Sequence, residues 1–314
     1  MLPSLKRRLK NAAKARFRGL FEFGQRLGVD ILPRHFYSSI PDFREMRRTD
    51  AWRRPYDMTG VAGTDLDEQV RLLGAWLAPP VLALLANQDV YGSACAANGE
   101  IGYGAPDADV LFAFIMTGRP KRVVQIGCGV STAVILAAAR AAKHDIQMTC
   151  VEPYPTGFLE RAAEEGEITL LSQKAETVPS EQLIDLGAGD LLFVDSSHTT
   201  RPGSDVHHLI LRVLPRLETG VFAHFHDVTF PYDFGPNIFG GQDLFFGAEP
   251  VVLHAYLIHN SRCAIRVSMS MLHQDRPDAL ARLVPHYQRI VTDRGINPPG
   301  TEGRSPSATY LQMV

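Results

Sequence analysis

From Lys121 onward the chain alternates short apolar runs with helical stretches, and this alternation constrains the fold more than any other feature. RVVQI precedes STAVILAAARAA, DIQMTCVE precedes a short helical stretch around GFLERAAEEG, and ITLLS precedes SEQLIDL. DLLFVD, DVHHLILRVLPRL and GVFAHFHD complete the series. Five strands that are apolar throughout and separated by helices must be covered on both faces, which predicts an α/β fold with a doubly wound, mostly parallel sheet. PVVLHAYLIHN reads as a further helix and CAIRVSMSM as a closing strand or strand pair. The stretch DLDEQVRLLGAWLAPPVLALL is helical with an interruption at Pro79 and Pro80, and VLFAFIMTG is an apolar helix ending at Gly118. These signals divide the chain into an N-terminal helical and irregular cap region (1–118), a core (119–296) and a tail of loop composition (297–314).

A chain of 314 residues that is 45% hydrophobic can bury a full core. Its 32 basic and 34 acidic residues give no whole-molecule field for nucleic acid. Cys95, Cys128, Cys150 and Cys263 have neither metal-ligand spacing nor the density of a disulfide scaffold, so a cytoplasmic setting is expected. No stretch approaches a transmembrane span. In the opening segment Leu2, Leu5, Leu9, Ala12 and Ala13 recur at helical spacing among basic residues. It reads as an amphipathic helix that packs its leucines on the protein or on a partner subunit in a homo-oligomer. The other reading lays it on an anionic membrane surface, but nothing aromatic reinforces the stripe on the scale interfacial helices use.

In an open parallel sheet, ligands bind beyond the carboxyl ends of the strands. The first such turn is Gly127-Cys128-Gly129. A dinucleotide fingerprint wants a third glycine where this chain has Thr132, which weakens an NAD-linked oxidoreductase reading. A ligand without a pyrophosphate needs close backbone approach at Gly127 and Gly129 only, and S-adenosylmethionine fits that description. Glu152 ends the second strand 23 residues beyond Gly129, where a carboxylate can accept from both ribose hydroxyls. The fourth strand ends in Asp195 with His198 three residues on, and the fifth in His226-Asp227. Asp195, His226 and Asp227 make a plausible divalent-cation site; imidazole is unusual for magnesium but ordinary for zinc, iron or manganese. A hydrogen-bonded Asp-His cluster without metal is the alternative.

IGCGVS, DSSH and FHD together resemble the motifs of class I S-adenosylmethionine-dependent methyltransferases, and in particular of a bacterial small-molecule family. FYSSIPD (36–42), NGEIGYGAPDADVLFAFI (98–115), PGSDV (202–206) and AEPVVLHAYLIHN (248–260) are similar to segments of that family, so the resemblance covers most of residues 36–275. It implies a Rossmann-like core in which Gly127, Gly129 and Glu152 hold the cofactor, with Asp195, His198, His226 and Asp227 on the acceptor side. Some relatives methylate sugar or macrolide hydroxyls with magnesium. Gln125 stands where the family often has a carboxylate that helps hold the methionine part, and Pro250 follows Glu249 where a polar residue is more usual.

Methyl transfer from a sulfonium is an in-line displacement, so the protein must align the reacting atoms and remove the proton of a hydroxyl acceptor. His198 is the first candidate for general base and His226 the second; Asp195 serves the catalytic, cofactor and metal readings together. Gln125, Gly127, Cys128, Gly129 and Glu152 form the expected cofactor set, in which Cys128 is simply a small residue that fits. Tyr103, Asn98 and Tyr37 are the candidate acceptor contacts, and Phe230, Tyr232 and Phe234 offer further aromatic surface. A catalytically silent nucleoside-binding module is the reading from another class.

Overall fold

The computed structural model describes residues 5–240, 246–301 and 305–314, without the side chains of residues 5–13 and 15. It has two compact units, Met1–Trp52 and Arg53–Val314. The first unit contains helices α1 (Leu5–Arg26) and α2 (Phe43–Met46), the latter capped by Asp42, whose carboxylate accepts from the Arg44 N–H. The stripe expected on the opening helix lies wholly outside the described side chains. Tyr37 belongs to this unit; its ring meets those of His35 and Phe36 edge-on at 6.0 and 5.3 Å.

The second unit begins with four helices: α3 (Leu66–Trp76), α4 (Pro79–Asn87), α5 (Val90–Asn98) and α6 (Ala105–Gly118). The break expected at Pro79 falls between α3 and α4, with proline opening the new helix, where its missing N–H is no loss. Alternation then follows as β1 (Arg122–Ile126), α7 (Val130–Ala142), β2 (Gln147–Val151), α8 (Gly157–Glu164), β3 (Thr169–Leu171), α9 (Ser180–Leu183) and β4 (Leu191–Val194). A helix starting as α10 (Asp205–His208) continues irregularly to Arg216 and leads into β5 (Phe222–Phe225). The chain closes with α11 (Glu249–Leu257), β6 (Cys263–Ser268), α12 (Met269–Asp275), α13 (Pro277–Leu283) and β7 (Thr309–Met313).

The strands form one sheet in the order β3-β2-β1-β4-β5-β7-β6, parallel through β5, with β7 antiparallel to both β5 and β6. Two expectations are corrected here. CAIRVSMSM is one strand followed by a helix, and its antiparallel partner comes from the end of the chain. Residues 297–314 are therefore more than a loop-like tail, because TYLQM at 309–313 is an interior strand of the sheet. The short run follows a loop rich in Gly, Pro and Ser, whose composition masks it.

Side chains alternate across the sheet as period two requires. Val123, Phe193 and Tyr310 join a core with α3 to α7, and Val124, Ile126, Leu192, Phe225 and Leu311 join a second core with the α10 region and α11. The whole of α6 from Pro106 to Ile115 is buried. The helical segment before β1 is thus part of the packing of one face of the sheet. No single helix among the described residues is long and apolar enough to cross a membrane.

Candidate active site

β1 has β2 and β4 as parallel neighbours, and β4 has β5, so the turns after all four strands open at the same edge of the sheet. Gly127 takes φ +73°, and a Cβ placed on it would stand 1.9 Å from the Asp195 carbonyl oxygen. Only glycine lets the first turn pass so close to the end of β4. Gly129 opens α7, and a Cβ there would meet the Asn98 side chain at 3.3 Å. The Gly129 N–H donates to Thr132 Oγ1 (3.0 Å), whose hydroxyl donates to Gln125 Oε1 (3.0 Å). Gln125 Nε2 in turn donates to the Gly127 carbonyl (3.0 Å) and to Ser131 Oγ (2.8 Å). Gln125, expected at the cofactor, is instead buried behind the turn with its amide engaged in bracing it. Thr132 occupies the third-glycine position with a side chain that closes this same network.

Glu152 reaches across from the end of β2. One carboxylate oxygen accepts from the Cys128 N–H (3.1 Å) and the other from the Tyr154 N–H (2.9 Å), fixing the spacing of the first two turns. Each oxygen keeps a lone-pair direction for a ligand hydroxyl. Burial pushes the Cys128 thiol well above its ordinary pKa, which keeps it protonated and unreactive. Asn98 ends α5 and accepts from the Thr156 hydroxyl (2.9 Å), joining the helical segment to the loop after β2.

Asp195, His198, His226 and Asp227 gather in one cluster beside this turn. His198 Nε2 lies 3.2 Å from Asp195 Oδ1 and 3.6 Å from Asp227 Oδ2, while its Nδ1 lies 2.7 Å from Glu249 Oε2. His226 Nδ1 lies 3.6 Å from one oxygen of Asp195 and 3.6 Å from one of Asp227. Both His198 (φ +53°) and Asp227 (φ +54°) hold left-handed backbone conformations, which cost non-glycine residues free energy and turn these side chains toward the cluster. Burial favours a neutral Asp195 carboxyl, but His226 and then His198 outweigh it and hold the pKa below its ordinary value. Burial likewise opposes charge on His198; the hydrogen bonds to Asp195 and Glu249 overcome it and lift the pKa to about 10. For His226 the charges of Asp227 and Asp195 overcome burial in the same sense. Glu249 moves the other way, because burial raises it more than His198 and Ser196 offset.

Tyr103 is built into this cluster. Its ring packs against that of His226, tilted by 35° with centroids 4.6 Å apart, its hydroxyl meets His224 Nε2 at 3.0 Å, and its carbonyl lies 3.1 Å from His226 Nε2. Burial, followed by the charge of His226, lowers the His224 pKa well below its ordinary value, so that ring is neutral. Phe230 joins the second core and packs on His254, and Phe234 is buried beside the Tyr232 ring at 5.2 Å.

Sequence reasoning missed three participants. Glu249, fully buried at the start of α11, also accepts from Ser196 Oγ (3.0 Å). Asp107, buried in the first turn of α6, accepts from the Ser307 N–H (2.9 Å) and stands 3.6 Å from His226 Nε2. Ser307 donates its hydroxyl to Asp227 Oδ1 (3.0 Å). The available signal was a carboxylate in each of two otherwise apolar helix starts, GAPDAD and AEPVV.

As for a cation, Asp195, His198 and Asp227 each bring one ligand atom within 4.8 Å of the others. His226 Nδ1 is a buried nitrogen with no hydrogen-bond partner. An orphaned imidazole nitrogen beside two carboxylates is chemically suited to a divalent ion. Of the expected set, Asp195 and Asp227 belong to this grouping, whose imidazole is that of His198; His226, expected as a ligand, stands beside it with Nδ1 3.6 Å from one oxygen of each aspartate.

Residues 124–228 match the family model described as a methyltransferase domain. An uncharacterized protein of Archaeoglobus fulgidus is 31% identical over 141 residues, which is 43% of this chain and 63% of that protein, so the match spans less than two thirds of the relative. Among solved structures, a putative O-methyltransferase from Klebsiella pneumoniae is 17% identical with a TM-score of 0.42, covering 72% of this chain and 90% of that one. A Podospora anserina methyltransferase with bound S-adenosylhomocysteine is 15% identical with a TM-score of 0.36, covering 91% and 99% respectively. Residues 124–228, which carry β2 to β5, most of β1 and the turns that follow these strands, are the part of the chain similar to a methyltransferase domain.

Proposed function

We propose that this chain transfers the methyl group of S-adenosylmethionine to a hydroxyl of a small molecule or sugar-containing metabolite. The observation that carries the reading is the adjacency of two groups at one sheet edge. The Gly127–Gly129 turn, tied to Glu152 by the Cys128 N–H, lies beside the Asp195, His198, His226 and Asp227 cluster.

Gly127 and Gly129 leave the backbone open to the cofactor, Glu152 accepts from its ribose hydroxyls, and Gln125 supports the turn from behind. In the transfer the acceptor oxygen bonds to the methyl carbon as the carbon–sulfur bond breaks, and the hydroxyl proton passes to His198 Nε2. Glu249 holds the opposite ring nitrogen of His198 and so fixes which nitrogen faces the acceptor. A divalent cation held by Asp195, His226 and Asp227 would polarise the acceptor oxygen and offset the carboxylate charge that keeps a proton on His198. In this reading Tyr103 and Asn98 border the acceptor and cofactor.

Calorimetry with S-adenosylmethionine, S-adenosylhomocysteine and NAD tests the reading directly. S-adenosylhomocysteine binds the wild type and fails to bind Gly129→Val, whose side chain meets Asn98. Binding of NAD in its place, or of neither, would overturn it. With labelled S-adenosylmethionine and an acceptor that turns over, His198→Ala lowers the rate by roughly 10²- to 10⁴-fold at unchanged S-adenosylhomocysteine affinity. A silent nucleoside-binding module would bind the same ligands and transfer nothing.

A further inference from the structure

We infer that His226 makes this cation site selective for first-row transition metals over magnesium. The inference rests on the proposed reading of the cluster and concerns which cation the side chains choose.

The orientation of the His226 ring is decided from behind. Its Nε2 faces the carbonyl oxygen of Tyr103 at 3.1 Å, an atom that can only accept, so Nε2 carries a hydrogen. The Asp107 carboxylate 3.6 Å from Nε2 favours the same arrangement, and Asp107 is itself held by the Ser307 N–H. The Tyr103 ring, tilted by 35° with its centroid 4.6 Å away, packs against the imidazole. Nδ1 is therefore the ring atom presented on the other side.

Nδ1 has no hydrogen-bond partner, although the residue is only 7% exposed. It lies 3.6 Å from one oxygen of Asp195 and 3.6 Å from one of Asp227. Two carboxylates and a buried ring nitrogen this close together call for positive charge among them, and a bound cation can take the place of the ring proton that otherwise supplies it. The donor set is one imidazole nitrogen and two carboxylate oxygens, with a second imidazole, that of His198, within reach of both aspartates.

Imidazole in this position decides the class of ion. Magnesium prefers an all-oxygen octahedron and releases water reluctantly, whereas iron, cobalt, nickel and zinc accept imidazole readily. A ring whose far nitrogen is anchored to a carbonyl and a carboxylate is also a more basic, better-aimed ligand. Glu249 anchors His198 in the same manner at 2.7 Å.

The test is competition on metal-free full-length protein. Cobalt(II) is added until its visible absorption saturates, and magnesium or zinc is then titrated against it. Zinc displaces cobalt and magnesium fails to do so over the same range. His226→Asn, which can place an amide oxygen where Nδ1 stood, loses most of this preference, and Asp107→Asn weakens cobalt binding by about 10- to 100-fold. S-adenosylhomocysteine affinity, measured on the same samples, stays at the wild-type value and shows that the variants are folded. Equal competition by magnesium in the wild type, or an unchanged preference in His226→Asn, would overturn the inference. Failure of S-adenosylhomocysteine to bind the wild type would instead overturn the methyl-transfer reading, so the two failures are distinct.

Discussion

Replacing Gly127 by alanine separates two ways in which a glycine can matter. The residue has φ +73°, and its Cβ would lie 1.9 Å from the Asp195 carbonyl, while Cβ contacts below 3.0 Å are essentially never made. Gly166, in the turn after α8, has φ +75° with nothing within 4 Å of its Cβ position. Both alanine variants carry the left-handed strain of about 1–2 kcal/mol. Only Gly127→Ala must also push backbone apart, because the carbonyl it meets belongs to the chain leaving β4, which cannot swing away as a side chain would. Forced overlap of this kind adds about 1–3 kcal/mol. The expected total is roughly 2–5 kcal/mol for Gly127→Ala against about 1–2 for Gly166→Ala, read from urea unfolding followed by circular dichroism. Because the displaced atom belongs to Asp195, S-adenosylhomocysteine affinity should also fall at least about tenfold in Gly127→Ala, or 1.4 kcal/mol, and stay level in Gly166→Ala. Equal unfolding costs together with equal affinities would refute the claim that the first turn is packed against the end of β4.

Glu152→Ala leaves the Cys128 and Tyr154 N–H groups unpaired and removes the ribose acceptor, so calorimetry should show S-adenosylhomocysteine binding weakened by roughly 1.5–3 kcal/mol; undiminished affinity would remove Glu152 from the site. His273 is buried with Nδ1 on the Tyr287 hydroxyl and Nε2 unpartnered, and burial lowers its pKa to about 4. With the folded value below the unfolded one, stability is intact above about pH 6.5 and is lost as pH falls toward 4, by up to roughly 3 kcal/mol. Urea unfolding of wild type and His273→Leu across that window should show the smaller pH dependence in the variant, and parallel curves would discount the buried ring. Deleting residues 309–314 removes the strand that β5 and β6 share, and the product should lack a cooperative thermal transition; a sharp transition near that of the full chain would show β7 to be dispensable.

The parts of this protein that were legible in its sequence are those in which a residue's role depends on near neighbours. Apolar strands followed by helices repeat within about thirty residues, the usual length of a βαβ unit, and the parallel sheet follows from that repetition. The glycine turn, Glu152, Asp195, His198, His226 and Asp227 were visible because each lies directly after a strand. Strand ends share an edge once the strands are parallel. Their convergence needed only the order β2-β1-β4-β5, and the structure has it.

Tertiary structure alone decided what stands behind those residues. Glu249 reaches His198 across 51 positions, Asp107 reaches His226 across 119, and Ser307 reaches Asp227 across 80. No local pattern encodes such pairings, since a buried carboxylate at a helix start looks in sequence like any first-turn acid. Gln125 shows the converse. Its position named it a ligand contact, but the sheet's inward face and the hydroxyls of Ser131 and Thr132 claim its amide. The strand at 309–313 was hidden because five residues carry too little periodicity to be recognised alone. It becomes a strand when β5 and β6 offer their edges, since backbone hydrogen bonding in a sheet is made between segments and not within one.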